Sequence, residues 1–219
     1  HGSFKEHLKS IKMIRGIENK LNLSIPIIGD LQGPKFRIGT LTKDRQVSKK
    51  DKINFYFEDD DLSQENVVDA SNNIPISNKI VFSEMLPGTK LLVDDGRLKF
   101  SVLNVSDESF IAEALDSGTI KSKKGVNLPE LIFNISPLTT KDKLVLEFIL
   151  KHKLDYIALS FVKRSSDILE LRSLIYIETK ILSKIEKPQA LNDISNIIRF
   201  FDAVRIACGD LGVELTPHQ

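Results

Sequence analysis

The sequence has little with which to build covalent or metal-bound stiffeners. A single cysteine, Cys208, among 219 residues excludes an internal disulfide and a thiolate zinc site. The four histidines are scattered along the chain and form no ligand cluster. Neither sign of charge dominates: 31 basic against 30 acidic side chains leave +1. The basic footprint that nucleic acid needs is therefore missing, and so is a polyacidic tail. No apolar run reaches the roughly 20 residues that span a bilayer, and no secretory leader is visible. What remains is an ordinary globular composition, 41% hydrophobic and 28% charged, long enough for one large or two modest domains. The expectation is a reducing, intracellular location with neither nucleic acid nor membrane as a partner.

What is present is organised around residues 182–214. The stretch opens with Leu182-Ser183-Lys184-Ile185-Glu186-Lys187-Pro188 and closes with Ala207-Cys208-Gly209-Asp210-Leu211-Gly212-Val213-Glu214. Residues 179–185 and 203–207 are apolar, β-branched runs that end abruptly in charge, and they read as buried strands. Between them Pro188 suits a first helical position, where its missing N–H costs nothing, and Ile194, Ile197 and Ile198 fall at helical spacing. The result is strand, helix, strand, with Lys184, Glu186 and Asp210 at the carboxyl ends of neighbouring parallel strands. In α/β sheets that edge is where ligands sit. Two carboxylates beside one ammonium suit a divalent cation holding an anionic substrate. Glu186 follows Lys184 on the same strand face, and a buried ammonium is costly unless paired. Gly209-Asp210-Leu211-Gly212 offers unobstructed backbone N–H groups, an anion cradle.

In the rest of the chain, Leu8, Ile11, Ile14 and Ile17 predict an amphipathic helix packed on a core. Residues 24–31 predict a short strand ending at Asp30, followed by a Gly33-Pro34 hinge signal. From Phe36 to about Asn134 the character changes. Short alternating segments at 52–57, 91–93, 98–105 and 110–115 are separated by Asp/Asn/Ser/Gly turns, an all-β insertion of roughly a hundred residues. Its acidic stretch 58–61 reads as a solvated loop. After Pro137, Thr139 or Thr140 caps a helix with Leu144, Phe148 and Ile149 on one face and Asp142 at its positive end. A strand ending at Ser160 follows, then a helix capped by Ser165 or Ser166 with Ile168, Leu171, Leu174 and Ile175 inward. Strand starts at 155, 179 and 203 recur about every two dozen residues, the rhythm of β/α units in a barrel. The fold class is therefore α/β. Residues 1–34 and 135–219 form a partial TIM-type (β/α)8 barrel, and residues 35–134 an inserted all-β lid, itself a small β-barrel.

These motifs resemble the pyruvate kinase family. Ser183-Lys184-Ile185-Glu186 followed by Ala207-Cys208-Gly209-Asp210-Leu211-Gly212 is similar to that family's S-K-I-E and A-R-G-D-L-G. Gly29-Asp30-Leu31-Gln32-Gly33-Pro34-Lys35-Phe36-Arg37-Ile38-Gly39 resembles the segment leaving the family's lid hinge. Val93-Asp94-Asp95-Gly96 and Lys123-Lys124-Gly125-Val126-Asn127-Leu128-Pro129 resemble its lid signatures. The resemblance implies phosphoryl transfer from phosphoenolpyruvate to ADP, giving pyruvate and ATP in glycolysis. It implies Mg²⁺ (or Mn²⁺) on Glu186 and Asp210, and Lys184 as the cation that stabilises the enolate. It further implies Gly209 and Asp210 receiving the substrate carboxylate, Arg37 reaching the phosphoryl group, Ser160 beside them, and Asp95 on the lid facing the nucleotide. Asp30 matches a monovalent-cation ligand. His1-Gly2 matches the end of the family's R-x-N-F-S-H-G, so an upstream strand is expected before it and further β/α units and a carboxyl-terminal domain after Gln219. The complete protein is expected to be a cytoplasmic homotetramer, and these 219 residues alone to be inactive.

Two departures from the family pattern matter. Leu31-Gln32-Gly33-Pro34-Lys35 stands where many members that require K⁺ have T-K-G-P-E. An ammonium at Lys35 can take the electrostatic role of a bound monovalent cation, and Leu31 removes a hydroxyl ligand, so activity without K⁺ is expected. Cys208 stands where the family has Arg, with Arg205 three residues earlier on an apolar strand, where it needs a buried partner. Cys208 has no neighbouring histidine in sequence to activate it as a nucleophile. Two rivals differ in class. A metal-dependent barrel lyase acting on a pyruvate enolate would lack the insertion, and a non-catalytic paralogue serving in binding or assembly would not need Lys184, Glu186 and Asp210.

Overall fold

A computed structural model of the protein describes residues 2–58, 72–131 and 133–215. In chain order its elements are α1 (Phe4–Leu21), β1 (Ile28–Leu31), β2 (Arg45–Val47), β3 (Lys52–Phe57), β4 (Asn73–Ile76), α2 (Ile80–Ser83), β5 (Lys90–Val93), β6 (Leu98–Val105), β7 (Ser109–Ala114), β8 (Gly118–Ile120) and β9 (Val126–Asn127). There follow α3 (Thr140–Lys151), β10 (Tyr156–Leu159), α4 (Asp167–Leu174), β11 (Lys180–Ile185), α5 (Ile194–Phe200), β12 (Ala203–Ile206) and α6 (Cys208–Glu214). Two compact units result: the chain up to Pro34 with Ser136–Leu211, and Lys35–Ile135 with the described residues from Gly212 onward. Most of the acidic stretch 58–61, from residue 59, lies outside the described residues.

The first unit is a four-stranded, all-parallel sheet in the order β1-β10-β11-β12, half the eight strands of a closed (β/α)8 barrel. Its registers pair Asp30 with Ala158, Ala158 with Leu182 and Leu182 with Ala203. Helix α3 lies close on β1: a Cβ at Gly29 would overlap the Ile149 side chain. Thr139 and Asp142 form the capping box that starts α3, satisfying N–H groups the helix cannot pair itself. The buried face of α3 is Leu146, Ile149 and Leu150; Leu144, expected inside, is exposed, because it lies about 160° around the helix from Leu146, at 100° per residue.

Other expectations are corrected in the same unit. Helix α1 begins in a Ser3–Glu6 capping box but contains no fully buried residue. Leu8, Ile11 and Ile14 are half-buried while Ile17 is exposed, since a spacing of three drifts away from a 3.6-residue period. The expected Pro188 helix is a 3₁₀ turn over Pro188–Asp193 that runs into α5, where Ile197 is buried and Ile198 exposed. At α4, Ile168 and Leu171 are buried but Leu174 is exposed. Neither serine caps that helix through its side chain; Asp167 accepts from the N–H groups of Lys163 and Arg164 instead. Arg205, expected to need a buried partner, is exposed on β12, the last of the four strands of this sheet.

The second unit is built from hairpins. A six-stranded sheet runs β4-β3-β7-β6-β5-β9, antiparallel except between β3 and β4, and β2 pairs with β8. Phe55 stacks on Phe110 at 5.2 Å and meets Phe100 edge-on at 5.3 Å, and all three rings are buried. Pro75 sits in edge strand β4, where its missing N–H breaks no ladder bond. Among the described residues no helix is long and apolar enough to cross a membrane.

Candidate active site

Strands β1, β10 and β11 deliver the chemistry at their carboxyl ends. Along β11 the two-residue period turns Ser183 and Ile185 into the core and leaves Lys184, with Glu186 beyond it, on the other face. Lys184 Nζ lies 2.9 Å from Glu186 Oε1 and donates to Ser160 Oγ at 2.9 Å and to both Asp30 oxygens at 3.2 Å. Its three hydrogens thus have three partners, which an ammonium at 14% side-chain exposure requires. Ser160 Oγ in turn donates to Asp30 Oδ1 at 3.4 Å. Glu186, 4% exposed, also accepts the Phe161 N–H on Oε2 at 3.2 Å. Burial pulls the Lys184 pKa down, but the Glu186 and Asp30 carboxylates outweigh it and hold the ammonium above the usual lysine value. One ammonium faces two carboxylates, so the cluster keeps an excess negative charge, and Asp30 is half open at 50%.

Of the residues predicted for the site, Lys184, Glu186, Ser160 and Asp30 therefore meet in one hydrogen-bonded cluster. Asp210 stands half-buried in the first turn of α6, the element that follows β12. Gly209-Asp210-Leu211-Gly212, read as an anion cradle, thus lies in the first turns of a helix, and a Cβ at Gly209 or Gly212 would meet nothing within 4 Å. Cys208 is exposed.

Lys35, Arg37 and Asp95 belong to the second unit. Lys35 runs along Gly125, and Arg37 donates to the Lys123 carbonyl at 3.1 Å. In the hairpin between β5 and β6, Asp94, Asp95 and Gly96 all have positive φ (53°, 55° and 78°). Asp94 accepts from the Arg97 N–H and pairs with Lys124 at 2.8 Å, leaving Asp95 exposed.

Two features escaped the sequence reading. Asp142, fully buried, does more than cap α3: its carboxylate accepts the N–H groups of Gln32 at 2.8 Å and Gly33 at 3.1 Å, tying the chain after Asp30 to the helix. Phe161 adopts φ +57°, uncommon for a bulky residue. The capping spacing signals the first; no sequence signal marks the second.

Fold and cluster together define a class: a β/α-barrel protein with an inserted β domain and an ammonium–carboxylate group at its strand ends. The family description "pyruvate kinase, barrel domain" matches residues 1–219. Two curated pyruvate kinases of Agrobacterium vitis are 41% and 43% identical over 219 residues, all of this chain and 44% and 45% of their own length. A pyruvate kinase of Clostridium perfringens is 32% identical over 98% of this chain and 45% of its own. A crystal structure of a pyruvate kinase from Cryptosporidium parvum matches with a TM-score of 0.86 at 28% identity, over 100% of this chain and 46% of that one. The chain belongs to the pyruvate kinase family. It spans a little under half the length of these relatives.

Proposed function

We propose that the chain is the part of a pyruvate kinase that holds most of its reaction centre, transferring a phosphoryl group from phosphoenolpyruvate to ADP and leaving pyruvate and ATP, a glycolytic step in the cytoplasm. The observation that carries this is Lys184, an ammonium held between Asp30, Ser160 and Glu186 at the carboxyl edge of parallel strands in a chain of this family. Neither rival, lyase or non-catalytic paralogue, is favoured by the matches.

The donor set fits a hard divalent cation. Among the described residues no group of three or more His, Cys, Asp or Glu could hold a metal, which argues against a zinc-type cage. Mg²⁺ needs only one or two carboxylates, with water and substrate oxygens completing its shell, and Glu186 with Asp210 supply that number. When bound, Mg²⁺ or Mn²⁺ supplies positive charge to the substrate's carboxylate and phosphoryl oxygens. The chain's own residues do the rest. Lys184 opposes charge on the phosphoryl group in flight and on the enolate left behind. Arg37 neutralises the phosphoryl oxygens. Gly209 and Asp210 receive the substrate carboxylate, Ser160 and Asp30 fix the ammonium's direction, and Asp95 faces the nucleotide. Residues 1–34 and 135–219 act as the catalytic barrel segment and 35–134 as the lid that excludes water. In the complete protein, a homotetramer, Lys35 replaces the monovalent cation near Asp30, so K⁺ is not required.

The test is a coupled assay of the complete protein with and without K⁺, tetramethylammonium being the control salt. Turnover is expected in both, and Lys184→Met is expected to lower kcat by about 10²–10³. Absence of turnover with phosphoenolpyruvate and ADP would refute the assignment, and a strict K⁺ requirement would refute the role of Lys35.

A further inference from the structure

We infer that Phe161 is a positioning residue: held in a left-handed backbone by the hinge glycine Gly33, it aims its own N–H at Glu186 and so pre-orients that carboxylate. Three contacts carry this. The Phe161 N–H donates to Glu186 Oε2 at 3.2 Å, while the other oxygen, Oε1, is taken by Lys184. The ring fills the space over Gly33, where a Cβ would stand 2.7 Å from Phe161 Cδ2 and 3.3 Å from Ser160 Cβ. The Lys187 ammonium sits 5.6 Å from the ring centroid, close enough for a cation–π attraction. Gly33 is itself fixed, at φ +70°, by its N–H bond to the buried Asp142.

A phenylalanine at φ +57° pays a conformational cost that persists only when the surroundings over-determine it. Here the ring packs against Gly33, where a Cβ would overlap it, and has the Lys187 ammonium 5.6 Å from its centroid. If the ring is removed, the backbone is released toward negative φ and the N–H turns away from Glu186. The hinge segment 32–34, where the chain passes into the second unit, therefore has a direct physical line to one of the two carboxylates read as metal ligands. This rests on that reading of Glu186 only for its consequence, not for its geometry.

The experiment has two arms on the full chain. In the first, without metal, amide exchange at position 161 is followed by NMR. Protection is expected to fall about tenfold, the scale of one hydrogen bond to a charged group, in Glu186→Gln and also in Gly33→Ala, whose new methyl displaces the ring. In the second arm Mn²⁺ affinity is measured by electron paramagnetic resonance for the wild type, Phe161→Gly and Phe161→Ala. Glycine tolerates positive φ and alanine does not, so the expected order is wild type tightest, glycine next, alanine weakest by about tenfold. Simple loss of packing gives the reverse order of the two variants. An unchanged amide in Gly33→Ala overturns the inference, and so does glycine binding Mn²⁺ more weakly than alanine. If the wild type binds no Mn²⁺ while the exchange arm follows the expected pattern, positioning stands and the metal reading of Glu186 fails.

Discussion

In the second unit Phe55, Phe100 and Phe110 are sealed among antiparallel strands, whereas in the first unit apolar side chains line both outer strands of a parallel sheet. Of seventeen large exposed apolar residues among the described ones, only Leu86 and Ile111 belong to the second unit. Ile28 on β1 and Val204 and Ile206 on β12 are open at the two sheet edges. Part of the difference follows from strand pairing, and part from this chain holding four strands of an eight-stranded barrel. Hairpins satisfy their ladders locally and bury one face, while a parallel sheet demands cover on both faces and a partner at each edge. The proposed chemistry lies mainly in the less self-contained unit, where strand ends converge; the hairpin unit contributes only Lys35, Arg37 and Asp95 to the proposal.

That contrast can be broken by mutation. Phe55→Ala is expected to cost about 3–5 kcal/mol and to shift only the second unit's transition in urea; if both units unfold together in the variant, they are not separate cooperative bodies. Asp142→Asn is expected to cost about 1–3 kcal/mol, seen in the first unit alone, because the N–H groups of Gln32, Gly33 and Thr139 lose a charged acceptor that is itself fully buried.

Acid should also separate the units. Arg15 and the Ile25 N–H hold the Glu18 carboxyl below its usual value. At Asp155 burial pushes the pKa up, but the Ile27 N–H and Arg15 bring it down overall. Carboxylates with lowered folded pKa values stabilise fully above about pH 4.5 and lose that contribution as pH falls through the folded values. Among the described residues of the second unit the group displaced from its ordinary value is Tyr56, which burial pushes up to about 12. Circular dichroism in acid is expected to show the first unit's helices melting below about pH 4 before the second unit's strands. Lys184, with its raised pKa, contributes fully below the ordinary lysine value and loses that contribution as pH rises from there through its higher folded value.

Much of this was readable from residues, for reasons that vary by element. β3 and β6 were found because alternating apolar and polar side chains match a half-buried strand over six and eight residues. β2, β8 and β9 are three residues or fewer, too short for any period to register, and β4 hides behind Pro75. Lys184 and Glu186 could be assigned to one face because a strand's geometry is rigid. The α6 conformation of Gly209–Gly212 could not, since two glycines in four residues ordinarily mark a turn. The tie from Asp142 to Gln32 and the left-handed Phe161 depend on neighbours more than a hundred residues away in one case, and on an unfavourable dihedral in the other. Local propensity encodes neither.

The contact between Asp30 and Lys184 joins residues 154 apart in the chain. At a ribosome's pace of about 5–20 residues per second, Asp30 waits roughly 8–30 s for its counter-ion to be made. Strands β3 to β9 emerge inside that interval and can zip up on their own, while β1 has no β10 to lie against. Nascent chains therefore carry β1, flanked by Ile28, without its β10 partner throughout that interval. That strand is the segment a chaperone has most reason to hold.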